Sequence, residues 1–297
     1  MTTTQILTPQ AFAKLREIRA SAPHKISEVY AARRTRKVLT GEQIFIIAAD
    51  HPARGALKVR NDAEAMANRY DLLERLAVAL THPGVDGVLG TPDIIDDLAL
   101  LGLLEDKIVV GSLNRGGLAG SSFEMDDRMT AYDIPSIVRD RLDFAKTLLR
   151  INLSEGGSLN TMTANSQMVS AAAAARVPIM LEPFMNVRTN GKFTNQLTPE
   201  AAITSTAIAT ALGNSSAYTW LKLPAVDHME KVMEATTLPT LLLGGDASTN
   251  PDETYARWKT SLALPGVRGL VVGRTLLYPA DDNVKGAIDI AASLVHN

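Results

Sequence analysis

Short apolar runs rich in β-branched residues alternate with amphipathic stretches along almost the whole chain. Eight runs read as strands: Ile44–Ala49, Gly87–Leu89, Lys107–Gly111, Thr147–Ile151, Ile179–Leu181, Thr219–Leu223, Thr240–Leu243 and Gly269–Val272. Between them, apolar residues at helical spacing predict helices over Asp62–Leu80, Ile94–Leu101, Ile134–Phe144, Asn165–Ala175, Pro199–Leu212, Val226–Ala235 and Asp252–Ser261. Thr198-Pro199-Glu200 carries the residues of a helix start, and Gly213-Asn214 those of a helix stop. Ahead of the first strand, Thr8-Pro9 opens a helix running to about residue 20, and a second is expected from Ile26 towards Val38.

Strand and helix in alternation imply parallel strands joined by helical crossovers. Eight such units, with no linker rich in Pro, Gly or Ser, fit one (β/α)8 TIM barrel better than a doubly wound sheet. The expected α/β organisation is an N-terminal helical extension over residues 1–40 and a single barrel domain over residues 41–297. The run Ala171–Ala175 suits a crossover helix packed closely on the barrel. Asn186–Leu197, with Arg188, Asn190-Gly191 and Lys192, reads as a polar loop able to cover the mouth.

Composition narrows the function. The chain has 297 residues, 46% of them hydrophobic, which is ample for one large core. A formal net charge of -2 gives no field for a nucleic-acid backbone, and the basic block Arg33-Arg34-Thr35-Arg36-Lys37 reads as the solvated end of an N-terminal helix. Cysteine is absent, which removes disulfides, thiolate nucleophiles and cysteine-based zinc sites and makes the cytoplasm the expected location. The first residues lack the charged and apolar regions of a secretory signal, and no apolar stretch would span a bilayer. Further copies of the chain are expected partners; nucleic acid and membrane are not.

In such a barrel the chemistry lies where the strands end. Asp50 and His51 follow the first run, Thr91 the second, Asn114 and Arg115 the third, Glu182 the fifth, Gly244-Gly245-Asp246 the seventh and Gly273-Arg274 the eighth. Lys222 lies inside the sixth run, and Lys146 begins the fourth. Burial disfavours an ammonium, so Lys222 in its apolar run tends towards the free amine that forms Schiff bases with ketones. The plainer alternative is a lysine that snorkels to solvent or pairs with a carboxylate. Lys146 would oppose the protonation of Lys222 if the two approach, or it snorkels at the other end of its strand. Glu182 ends an apolar run before Pro183; it could move a proton on and off a substrate hydroxyl, or serve as the partner of Arg150 or Lys146. The glycine turns with Arg274 read either as the phosphate grip usual after the last two strands or as two ordinary turns. Arg54, Arg115 and Arg150 are the candidates to meet a second anionic group. No two of the five histidines have metal-ligand spacing, so no metal is expected, and Schiff-base chemistry would need no organic cofactor.

These short motifs resemble those of the class I, Schiff-base aldolases that include the tagatose-1,6-bisphosphate and sulfofructose-phosphate aldolases. The likeness rests on Ala49-Asp50-His51-Pro52-Ala53-Arg54-Gly55-Ala56-Leu57-Lys58, Ala145-Lys146, Leu181-Glu182, Leu221-Lys222-Leu223-Pro224 and Gly273-Arg274. It implies Lys222 as the Schiff-base residue, Glu182 as the proton-transfer group, Lys146 and Asp50 as electrostatic and orienting partners, and Gly245 and Arg274 on phosphate. The chain departs from the pattern in three ways: His51 stands in place of an amide, the segment before Arg54 is longer, and Arg150 stands where some relatives carry an aromatic. The resemblance points towards actinobacterial aldolase-like proteins of sugar and inositol catabolism, and thus to 5-dehydro-2-deoxyphosphogluconate as substrate, with a ketose bisphosphate or sulfofructose phosphate as the alternative. Two other readings are a metal-assisted aldolase or isomerase using Asp50, His51 and Glu182, and a sugar-phosphate-binding barrel without turnover.

Overall fold

The computed structural model describes residues 6–245 and 251–296. Eight parallel strands form the wall: β1 (Ile44–Ala48), β2 (Gly87–Gly90), β3 (Ile108–Ser112), β4 (Phe144–Ile151), β5 (Ile179–Thr189), β7 (Thr219–Pro224), β8 (Thr240–Leu243) and β9 (Val267–Val272). β6 (Lys192–Asn195) lies outside this ring. Neighbours run β4-β3-β2-β1-β9-β8-β7-β5, and the β4–β5 ladder closes the circle. With helices between successive strands, the fold is the expected (β/α)8 barrel.

Side chains alternate across each strand, and this parity decides which residues meet. Ile44, Ile46 and Ala48 of β1 face inwards with Phe144, Met180, Trp220, Leu241 and Val271, where Phe144 and Trp220 pack edge to face at 5.3 Å. Phe45, Ile47 and Ala49 face the helices instead and join the larger outer core. Continuing each inward row by two residues gives Asp50 on β1, Ser112 on β3, Lys146 on β4, Glu182 on β5 and Lys222 on β7. The strand registers bring these rows level, pairing Ser112 with Lys146, Lys146 with Met180 and Met180 with Trp220. One layer further out, Leu148, Phe184 and Leu243 form a small apolar cluster. A charged layer therefore sits between two apolar ones.

Four local expectations change. β4 begins at Phe144, which was expected to end a helix, so Lys146 lies within the strand rather than at its start. The segment Asn186–Leu197 is chiefly a β-hairpin: β5 runs on to Thr189 and pairs antiparallel with β6. Asn190 and Gly191 form its turn with positive φ of 51° and 76°, the geometry of a tight hairpin turn. The helix expected from Asp62 starts at Arg69, where the Asn68 side chain caps the Tyr70 and Asp71 amides. Finally, the second N-terminal helix ends at Ala32, so the basic block is not a solvated helix end. Arg33 is buried and donates to the carbonyls of Lys107 (3.0 Å) and Arg141, while Arg36 pairs with buried Asp86 at 2.7 Å.

Candidate active site

The inward row of charges forms one contiguous buried cluster. Lys222 Nζ donates to Glu182 Oε1 at 2.9 Å, and Lys146 Nζ lies 2.5 Å from Glu182 Oε2 and 3.0 Å from Asp50 Oδ2. Asp50 Oδ2 also accepts from Ser112 Oγ at 3.2 Å and pairs with Arg115. Glu182 is thus clasped by two lysines, and Asp50 by a lysine, an arginine and a hydroxyl. None of these residues is more than a tenth exposed.

Charge balance sets the protonation state. Arg115 offsets Asp50, which leaves Glu182 to balance one ammonium; a second would be a buried cation without a counter-charge. Burial draws both lysines below their ordinary range, with Arg115 adding to the effect on Lys146 and, together with Arg274, on Lys222. Burial alone would raise Glu182, but Lys146 and Lys222 outweigh it and hold the carboxyl well below the usual carboxylate range. Lys146 has two carboxylates within 3.0 Å but is also the more deeply buried of the two and is drawn further down, so the pair holds one proton between them and one amine is left free.

The cluster floors a cavity of about 470 Å³ at the C-terminal ends of the strands. Gly244, Gly245, Gly273 and Arg274 all line it. Gly273 must be glycine, because a Cβ there would lie 2.4 Å from the Ala48 carbonyl oxygen and 2.8 Å from His51 Cε1. Asp246 was expected beside these turns and falls outside the described residues. His51 lines the same cavity.

Arg54, Arg115 and Arg150 also line it, though each is already engaged. Arg54 pairs with Asp127 at 3.1 Å, Arg150 with Glu124 at 2.6 Å, and both donate to the Gly117 carbonyl. Burial pushes Arg54 and Arg115 down to about 10. One nitrogen of each guanidinium is buried without an acceptor: Nη1 of Arg54 and Nε of Arg115 and Arg150. Asn114 does not join the cavity wall. Its amide accepts from Leu148 N at 2.7 Å and donates to the Leu148 carbonyl at 2.5 Å, so it extends the β3–β4 ladder and is not available as a ligand-binding group.

Several residues here escaped the sequence reading. Ser112 ends the inward row of β3, a parity signal open to inspection. Phe193, Thr194, Asn195 and Leu197 reach the cavity from the hairpin and its exit, and the Asn190-Gly191 pair signalled that turn. Glu124 and Asp127 sit in an irregular loop after β3, and no pattern marks them as counter-ions. Among the described residues no group of three or more His, Cys, Asp or Glu side chains could hold a metal ion, and no helix is long and apolar enough to cross a membrane.

Fold and site together define a closed (β/α)8 barrel carrying a buried lysine–carboxylate cluster at its C-terminal mouth. The chain belongs to the Cgl0159-like family, whose model matches residues 42–292. The crystal structure of Cgl0159 from Corynebacterium glutamicum shares 60% identity, with a TM-score of 0.96 over 98% of this chain and 99% of that one. Two aldolase structures share the fold at low identity. An archaeal fructose-1,6-bisphosphate aldolase, with its catalytic Lys covalently bound to the carbinolamine intermediate of the substrate, matches at 16% identity and a TM-score of 0.65 over 92% of this chain and 100% of that one. The fructose-bisphosphate aldolase of Slackia heliotrinireducens matches at 11% identity and a TM-score of 0.60 over 86% of each chain. No curated protein matches the chain.

Proposed function

We propose that this protein is a class I aldolase that cleaves a phosphorylated ketose or keto-acid through a Schiff base on Lys222. The observation that carries the reading is a buried amine sharing one carboxylate with a second buried lysine, an arrangement that leaves a nucleophile at neutral pH. Lys222 attacks the substrate ketone. Glu182, 2.9 Å from that nitrogen, exchanges protons with it and with the carbinolamine hydroxyl, and Lys146 behind Glu182 supplies and recovers them. The protonated imine then accepts the electron pair of the breaking C–C bond, and the enamine leaves as dihydroxyacetone phosphate after hydrolysis. Gly245 and Arg274 hold the phosphate. The archaeal aldolase barrel with a lysine-bound carbinolamine supports this assignment by analogy of fold.

For the second half of the substrate, the three guanidinium groups of Arg54, Arg115 and Arg150 in the cavity wall favour an anionic group. That suits 5-dehydro-2-deoxyphosphogluconate, with ketose bisphosphates and sulfofructose phosphate as competitors. Borohydride with dihydroxyacetone phosphate should add one reduced triose phosphate to Lys222, and Lys222→Ala should abolish both labelling and cleavage. Labelling of Lys146 with Lys222 untouched refutes the assignment. Comparing kcat/KM among the three substrates tests the second half; a preference for a bisphosphate removes the keto-acid while leaving the imine chemistry intact.

A further inference from the structure

Cleavage needs a base for the hydroxyl on the carbon that leaves as the aldehyde, and the bases around the cavity are few. Lys222 is consumed as the imine. Glu182 has one oxygen on each lysine, so both of its oxygens are already engaged at the nitrogen end of the site. Asp50 is held by Lys146, Arg115 and Ser112. The remaining titratable base lining the cavity, among the described residues, is His51.

The His51 ring is oriented for that task. Nδ1 is closed off from solvent, faces Asp50 Oδ1 at 3.9 Å and makes no hydrogen bond. Nε2 is likewise unbonded but is not closed off, and the side chain remains 21% accessible at the mouth. A proton on Nδ1 lies beside the carboxylate, which leaves the Nε2 lone pair for the substrate. Gly273 leaves the room this ring position needs, because a Cβ there would lie 2.8 Å from Cε1. Burial first, then the charges of Arg274, Lys222 and Lys146, lower the imidazole against the opposing pull of Glu182, so the ring rests neutral with a lone pair to offer.

We infer that His51 is the second proton-transfer residue of this site: its Nε2 takes the substrate hydroxyl proton during C–C cleavage and returns it to the enamine carbon. The proposal rests on the aldolase reading above. In the cleavage step the O–H proton passes to Nε2, the oxygen lone pair forms the aldehyde C=O, the C–C pair moves into the enamine, and the iminium nitrogen becomes neutral. The imidazolium then gives that proton to the enamine carbon, and water hydrolyses the restored imine. Proton count and charge balance without an external oxidant or reductant. Glu182 serves the nitrogen, and His51 serves oxygen and carbon.

Dihydroxyacetone phosphate alone separates these roles, because C–H exchange with solvent runs the second half of the sequence in reverse. With His51→Gln and His51→Asn, borohydride labelling of Lys222 should persist, while deuterium incorporation at the exchangeable carbon in D2O, read by NMR, should fall by about a hundred- to ten-thousand-fold. Retained labelling also shows that the variants are folded. Near-wild-type exchange in both variants overturns the role of His51 and leaves the aldolase reading standing. Labelling and exchange lost together place His51 in imine formation or in the fold, which overturns the proposal as well. No labelling of the wild-type protein defeats the aldolase reading, and this inference with it.

Discussion

Both ends of the barrel bury charge, but the partners differ. At the N-terminal end Arg33 donates to the carbonyls of Lys107 and Arg141, Asp143 accepts from Val109 N at 2.8 Å, Asp86 from Phe45 N at 2.7 Å, and Lys107 donates to the Val85 carbonyl at 2.5 Å. Those side chains hold the main chain where strands begin. At the mouth Asp50, Lys146, Glu182 and Lys222 bond only to other side chains. Charge that serves the backbone fixes a fold; charge that serves other charge sets protonation and stays adjustable when a ligand arrives. Around the mouth Arg54 and Arg150 still donate to the Gly117 carbonyl, so the division holds for the inward row of charges and not for every charged side chain near it.

That contrast is breakable by substitution. The largest effect is expected from Glu182→Gln, which should slow both borohydride trapping at Lys222 and substrate cleavage by about a hundred- to ten-thousand-fold while leaving thermal unfolding close to wild type. Cleavage at the normal rate would make Glu182 a structural residue and erase the distinction. The mirror experiment is Arg33→Met at the opposite end. It strands Asp143 and two carbonyls, and should cost about 3–5 kcal/mol in denaturant unfolding with kcat unchanged at temperatures where the variant is folded. A fall in kcat of the folded variant would mean that the two ends are coupled.

Smaller effects sharpen the picture within the mouth. Arg274→Ala removes one charge-assisted contact, worth about 1.5–3 kcal/mol, so KM for a phosphorylated substrate should rise about ten- to a hundredfold. An unphosphorylated analogue should be little affected, and equal losses would argue against a phosphate role. Last, pH. Because burial lowers Lys222 from its ordinary value of 10.5, its free-amine fraction saturates at a lower pH. Trapping should therefore level off below that value; a rate still climbing past it would show Lys222 to be an ordinary solvated lysine.

Much of this was legible in the chain, and the failures have physical causes. The eight apolar runs gave every barrel strand, because strands buried on both faces have to be continuously apolar. Lys146 was placed at the edge of its strand because Phe144-Ala145 also suits a helix end, yet the inward parity of Phe144, Lys146, Leu148 and Arg150 would have moved it inside. Arg33 looked solvated because a basic block gives no sign of the carbonyls it will meet more than seventy residues away. Asn114 looked like a ligand group because position at a strand end does not reveal that a neighbouring strand will claim its amide. Glu124 and Asp127 belong to an irregular loop, where no periodicity links an acid to its arginine.

The closing ladder of the ring has a consequence for the chain as it is made. Lys146 and Glu182 stand on β4 and β5, whose pairing completes the circle, and Lys222 stands on a strand that follows both. Before that seam forms, Lys222 is a hydrated ammonium like any other, inert towards carbonyl compounds at neutral pH. The lowered basicity that the aldolase reading requires arises only when a neighbour shares its carboxylate and apolar layers enclose the pair. On that reading no nucleophile exists until the ring closes, and folding itself arms the residue.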